Sequence, residues 1–250
     1  MRRKICIIIG VVMMPILILM VDHFLFYQEL KFNYDQSSEW AYIVEHKMDY
    51  PPSLLKLAMK NKETIPFVSH YRDYKEKHYS LNDDLKKGTI PHLLQWDERW
   101  GYKVYGNEMM AINGCGPTCL SMIVSYLTQN PRFDPYYIAT FSYRRGYYSH
   151  EGTTKWTLMS EGAKYLGVNV EEIPLDEQRI INELKQGHPL ICSVSAGDFT
   201  SSGHYIVMKD YQDGLFYVND PNSIEKSKRG YTYHELSYQI KNIWSYCKKS

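Results

Sequence analysis

Three residues of the 250-residue sequence combine a reactive type with a setting suited to nucleophilic chemistry: Cys115, His204 and Asp220. Cys115 stands in Asn113-Gly114-Cys115-Gly116-Pro117-Thr118-Cys119. Glycines on both sides permit sharp turns and the close approach of a second molecule. Pro117 suits a first helical position, where its missing N–H leaves no bond unmade. The cysteine is therefore expected at the mouth of a helix, whose positive end favours the thiolate, the reactive form. A thiolate nucleophile needs a base that takes its proton and returns it to a leaving amine. His204 opens Gly203-His204-Tyr205-Ile206-Val207-Met208, at the start of an apolar strand. Asp220, sixteen residues later in Val218-Asn219-Asp220-Pro221-Asn222, ends the next apolar run and is placed to fix the imidazole tautomer.

Each residue has a plainer alternative. Free cysteines are commonly inert core residues, and it is the glycine–cysteine–glycine–proline context that separates Cys115 from them. Cys119 lies one turn further into the helix and Cys192 in an apolar strand, so both read as core. His204 shares a strand face with Ile206 and Met208, as a structural histidine would. An aspartate before proline is often only a turn former. Among the other histidines, His23, His46, His70, His78 and His92 fall in the N-terminal, stem or boundary regions. His150, His188 and His234 stand in polar, loop-like contexts.

These residues need elements to carry them. Pro117 to Thr128 reads as a helix apolar on most of its circumference, hence buried. A second helix is expected from Thr154 to Leu166, ending at Gly167, and a third from Asp176 to Lys185, before Gly187 and Pro189. Strands follow at Leu190–Val194, Tyr205–Tyr211 and Leu215–Val218. A buried helix followed by a run of strands is an α+β order. Upstream, Pro51-Pro52-Ser53 precedes Leu54, Leu55, Leu57 and Ala58 in a short helix, and a second begins near Pro66 with Phe67, Tyr71 and Tyr74 on one face.

Composition narrows the function classes. Hydrophobic content of 44% with 23% charged residues is ordinary for a folded domain. The net charge is +1, and the first four residues hold Arg2, Arg3 and Lys4; without them 26 basic residues face 28 acidic ones. Such a balance gives no electrostatic footprint for nucleic acid. There is no phosphate-binding glycine loop, Cys-x-x-Cys or zinc-spaced histidine pair, so no cofactor or metal is expected. Ile5 to Val21 is uncharged and apolar, and includes Cys6. After it comes Asp22-His23-Phe24 in place of small cleavage-site residues, so a signal anchor at 1–22 is expected rather than a cleaved, secreted form. With the positive residues inside, the rest lies outside the cytoplasm at the cell membrane. A stem with short helices then spans 23–88 and a catalytic domain 89–250. Outside the cell, one reactive thiol among Cys115, Cys119, Cys192 and Cys247 leaves at most one disulfide.

From Gln95 to Asp220 the sequence resembles the papain-like cysteine peptidases that process bacteriocin leaders (the peptidase C39 family), particularly their stand-alone relatives. The resemblance rests on the Gly-Cys-Gly helix start, the Gly-His strand start and the Asp-Pro after the next strand, in that order. It implies a papain-like fold, with a central buried helix packed on an antiparallel sheet, and thiol-dependent hydrolysis of a peptide bond by Cys115, His204 and Asp220. It also implies an oxyanion-binding glutamine before the cysteine. Gln95 lies twenty residues upstream and takes that role if an insertion intervenes, with Asn113 as a substitute donor. No ATPase cassette accompanies the domain, so export-coupled processing does not carry over. Other readings are an amidase or endopeptidase on cell-wall peptides and a binding protein that keeps the fold without turnover.

The hairpin from His204 to Asp220 sets a geometric condition. A two-residue loop at Asp213-Gly214 with regular strands puts Asp220 opposite Val207, on the face away from His204. A three-residue loop, Gln212-Asp213-Gly214, puts it opposite Ile206, diagonal to His204 on the same face. The chemistry therefore predicts the longer loop, or an equivalent one-residue bulge nearer Asp220.

Overall fold

The computed structural model describes Gln28, Leu30 and residues 37–249 except Lys77 and His150. The chain divides into two compact units, Met1–Asp73 and Tyr74–Ser250. In the first, the helices Ser38–Glu45, Pro52–Lys60 and Ile65–Ser69 bury Trp40, Ile43, Leu54, Leu55, Phe67 and Val68. Ser37 caps the first of them, its hydroxyl accepting from the Trp40 N–H.

The second unit is an α+β domain. A small ribbon of β1 (Val104–Tyr105) and β2 (Glu108–Met109) leads into a short helix, Met110–Asn113, and then the central helix Cys115–Thr128. Every residue from Gly116 to Ser125 is buried. Three hydroxyls along it are spent on carbonyls: Ser125 and Thr128 donate one turn back, to Ser121 and Val124, and Ser121 to Phe133, while the buried Thr118 Oγ1 has no partner among the described residues. A helix at Pro135–Arg144, capped by Asp134, packs beside it.

The remaining strands are β3 (Val168–Ile173), β4 (Leu190–Val194), β5 (His204–Gln212), β6 (Leu215–Asn219), β7 (Gly230–Tyr231) and β8 (Ile240–Lys248). They form one antiparallel sheet in the order β3-β8-β4-β5-β6-β7. Its residues alternate between two cores. Ile191, Tyr205, Val207, Trp244 and Tyr246 join Leu120, Ile123 and Val124 of the central helix. Leu190, Cys192, Ile206, Met208, Phe216 and Val218 join Ile180, Ile181 and Leu184 of the helix Glu177–Lys185. Covered on both faces, β4 is buried at all five positions, which is why it reads as an unbroken apolar run.

Several boundaries differ from the sequence expectation. The central helix starts at Cys115, so Pro117 is its third residue, where the N–H is equally without an intrahelical partner. The expected helix at 154–166 is a π-helical turn, Leu158–Gly162, continued by Ala163–Tyr165. It stops at Gly167 with φ +93°, a conformation only glycine adopts freely.

The expected membrane anchor is corrected. Among the described residues no helix is long and apolar enough to cross a membrane. The longest, Cys115–Thr128, has 14 residues; it spans about 21 Å at 1.5 Å per residue, against about 30 Å of hydrocarbon. Its apolar surface is spent on the domain core. The run Ile5–Val21, on which the signal anchor, the membrane partner and the placement outside the cytoplasm rested, lies outside the described residues. The fold of the described residues is thus α+β, with a central helix on an antiparallel sheet.

The hairpin resolves the geometric condition by the second of its two routes. Gln212 pairs with Leu215 around a two-residue loop, with Asp213 at φ 51° and Gly214 at φ 82°, so the three-residue loop does not form. Positive φ at both central residues matches the twist of the strands. Pairing continues to Asp210↔Tyr217 and then jumps to Met208↔Val218, leaving Lys209 as a one-residue bulge. Val207 then pairs with Asn219, so Asp220 follows opposite Ile206. Deleting Lys209 removes the extra residue while leaving every other pairing in place. Such a variant should fold with unchanged Met208–Val218 cross-strand contacts by NMR. Loss of the bond from Lys209 Nζ to Asn219 Oδ1, at 2.7 Å, should lower its Tm by about 2–4 °C. A shifted register would show that the bulge is not what sets the pairing.

Candidate active site

Cys115 begins the central helix and His204 begins β5, the strand that packs against that helix. Gly114 makes the sharp entry possible: a Cβ there would lie 2.4 Å from the Met110 carbonyl oxygen. A Cβ on Gly116 would lie 2.8 Å from Thr154 Cγ2, so the loop carrying Thr154 closes over the first turn. Thr154 is held in turn, its carbonyl accepting from the Tyr205 hydroxyl at 3.0 Å and its Oγ1 bonded to the Tyr105 hydroxyl at 3.0 Å.

His204 Nε2 donates to Asp220 Oδ1 at 2.7 Å. The imidazole is 8% exposed and the carboxylate 0%, so the pair is almost wholly out of water. With Nε2 committed, Nδ1 is the nitrogen left to face Cys115, which lies near enough to act on the charge of the ring. Burial alone would drive the imidazole neutral. The neighbouring Asp220 charge and hydrogen bond, with a further contribution from Cys115, outweigh it, raising the His204 pKa from 6.5 to about 10.

The loop bearing Asp220 is anchored through its main chain. The Asp220 N–H donates to Ser227 Oγ at 2.8 Å, and the Asn222 N–H to Asp220 Oδ1 at 2.8 Å. A distant segment grips the same loop. The Gln95 N–H donates to the Pro221 carbonyl at 2.7 Å, Trp96 Nε1 to the Asn222 carbonyl at 3.0 Å and His92 Nε2 to the Asp220 carbonyl at 2.7 Å. Asn219 Nδ2 completes the clasp on the Pro91 carbonyl at 3.2 Å. Sequence reasoning passed over His92, Trp96 and Ser227. No local signal marks them, since their partners in the clasp are main-chain groups, for His92 and Trp96 more than a hundred residues away.

The two candidate oxyanion donors have different surroundings. Gln95 is buried, and its Nε2 donates to the Ala111 carbonyl at 2.7 Å and the Ile112 carbonyl at 3.4 Å, in the turn before Cys115. The twenty-residue gap in sequence is therefore closed in space. Asn113 instead donates to the Tyr148 hydroxyl at 2.9 Å and Asn107 Oδ1 at 3.3 Å.

The described cysteines are all free thiols. Cys119 and Cys192 are fully buried, and desolvation raises both thiols, Cys192 to about 12 and Cys119 well above its ordinary value. Cys115 and Cys247 are half-buried.

The pattern of the peptidase C39-like family matches residues 87–250, and the chain belongs to that family. Three solved structures are similar at low identity. The peptidase domain of Streptococcus ComA, a bifunctional ABC transporter involved in quorum sensing, is 18% identical with a TM-score of 0.43, over 55% of this chain and 93% of that one. A double-glycine-motif protease from an AMS/PCAT transporter, in complex with its leader peptide, is 14% identical with a TM-score of 0.35, over 53% and 86%. A structure described as a C39-like peptidase from Bacillus anthracis is 13% identical with a TM-score of 0.38, over 69% and 100%. No curated protein matches the chain.

Burial makes the thiols distinguishable by alkylation. In the folded protein iodoacetamide should label Cys115 and Cys247, with Cys119 and Cys192 reacting only on unfolding. Peptide mapping with and without denaturant reads this directly, and early labelling of Cys119 would contradict the packing.

Proposed function

We propose that the chain hydrolyses a peptide bond by a papain-like mechanism, with Cys115 as nucleophile, His204 as base and then acid, and Asp220 as the group that orients the histidine. The observation that carries this reading is the buried His204–Asp220 pair, bonded at 2.7 Å through Nε2, with Cys115 near enough to raise the imidazole pKa further. Membership of the peptidase C39-like family supports it.

In the proposed reaction the Cys115 sulfur attacks the carbonyl carbon, and a tetrahedral oxyanion forms. N–H groups of the central helix's first turn, which have no acceptor within their own helix, face the developing charge. Gln95 is proposed as a further donor. Its Nε2 would exchange one of its two carbonyl partners, of which Ile112 at 3.4 Å is the weaker, for the oxyanion. His204 protonates the leaving amine, giving a thioester at Cys115. Water then attacks the thioester with His204 as base, releasing the acid and restoring the thiol. Asp220 holds Nε2 throughout, so that Nδ1 stays turned to the sulfur.

Replacing Cys115 by Ala should abolish cleavage of a peptide library without changing the far-UV circular dichroism; retained turnover would overturn the assignment. The raised His204 pKa makes a second expectation. A folded-state pKa above the unfolded value of about 6.5 stabilises the fold fully below that pH and is lost as pH rises through about 10. In Asp220→Asn the main raising influence is gone and burial remains. The alkaline limbs of kcat/KM and of stability should therefore both move to lower pH. Limbs that coincide with those of the wild type would show that Asp220 does not set the histidine's charge.

A further inference from the structure

The role of the segment ahead of the domain core follows from where its polar groups end. Asp220 is fully buried, yet its side chain is held only through Oδ1. What keeps Oδ1 at His204 is therefore the placement of the Asp220 main chain. Its N–H is taken by Ser227 Oγ at 2.8 Å and its carbonyl by His92 Nε2 at 2.7 Å, with the Ser223 N–H a longer 3.3 Å away. Pro221 restricts the backbone of Asp220 from the other side.

The tautomer of His92 is fixed by its partners. The Asp220 carbonyl can only accept. The Ser227 hydroxyl, 3.3 Å from the same nitrogen, spends its proton on the Ser223 carbonyl at 2.7 Å. Nε2 of His92 must therefore carry the hydrogen, whichever of the two oxygens it favours. A half-buried histidine from residue 92 thus donates to the main chain of residue 220, bridging 128 positions of sequence.

We propose that His92 is a positioning residue, which with Ser227 holds the Asp220 main chain so that the carboxylate stays on His204 Nε2. It touches neither the reacting sulfur nor the imidazole, and acts through Asp220 alone. For its effect on turnover the inference rests on the hydrolytic reading above. The pairing of Asp220 with His204 can be read without any substrate.

The test compares His92→Phe, His92→Gln and Ser227→Ala in the full chain. Phe keeps a flat ring without a donor, and Gln can set its amide nitrogen near the position of Nε2. Two quantities are measured: kcat and KM on a peptide that the wild type cleaves, and the downfield proton NMR signal of His204 Nε2–H, assigned by its loss in Asp220→Asn. In His92→Phe the signal should weaken or move upfield. The accompanying fall in kcat should be on the order of ten- to a hundredfold with KM nearly unchanged. His92→Gln should recover most of both, and Ser227→Ala should act in the direction of Phe. If His92→Phe does not fold, Ser227→Ala and His92→Gln decide. A wild-type signal and kcat in His92→Phe would overturn the proposal, as would an equal fall in Phe and Gln, which would mark a packing role. A perturbed signal in a protein whose wild type cleaves nothing would uphold the positioning and dispose of the hydrolytic reading alone.

Discussion

Taking a carboxylate out of water is costly, and the cost is offset when a hydrogen-bonding partner stands at the right distance. Asp220 is fully buried and His204 nearly so, with 2.7 Å between the bonded atoms. Much of the domain's irregular structure can be traced to that pair. The bulge at Lys209 brings the aspartate to the correct face, Ser227 and the segment from Pro91 to Trp96 hold its loop, and β4 and β6 flank the strand that carries the histidine. Cys115 meets the pair because the central helix packs against that same strand.

The bulge shows how parity governs a site on a hairpin. Side chains alternate on a strand, so a one-residue slip in the pairing between His204 and Asp220 turns the carboxylate to the opposite face. The tight Asp213-Gly214 turn alone would give the wrong parity. Placing the correction at Lys209 lets the loop keep the two-residue form that suits strand twist, and moves the irregularity to a position where the lysine Nζ bonds Asn219. Burial of Lys209 lowers its own pKa, a cost accepted next to the strand end that bears Asp220.

Cysteine has a different setting at each described position of this domain. Inside the central helix and inside β4, desolvation holds the thiols of Cys119 and Cys192 protonated. At the helix start, glycines on either side admit the main chain of one neighbour and the Thr154 loop at distances no side chain would permit, and leave Cys115 half-exposed beside an imidazole. Chemistry is offered by the position, since the residue type is common to all of them.

Much of the scaffold was legible in the residues. The apolar circumference of 117–128, the unbroken run 190–194, the Asp-Gly turn and the caps at Asp176 and Gly167 each state a local preference that the fold obeys. The settings of Cys115 at a helix start and His204 at a strand start are local too. Strands β3 and β8 were not legible, because their mixed sequences, such as Val168-Asn169-Val170-Glu171, become strands only by pairing with each other and, for β8, with β4. Nor could the sequence choose between a longer loop and a bulge, which give Asp220 the same parity and differ only in how the strands twist. The partners of His92, Gln95 and Trp96 lie far along the chain, and main-chain carbonyls carry no residue-specific mark. Hydrophobic period and backbone preference are properties of neighbours in sequence, so residues alone marked the locally specified elements and the side chains that are candidates for chemistry. The register that joins Asp220 to His204, and the clasp that keeps it there, are long-range hydrogen bonds that only the folded chain could decide.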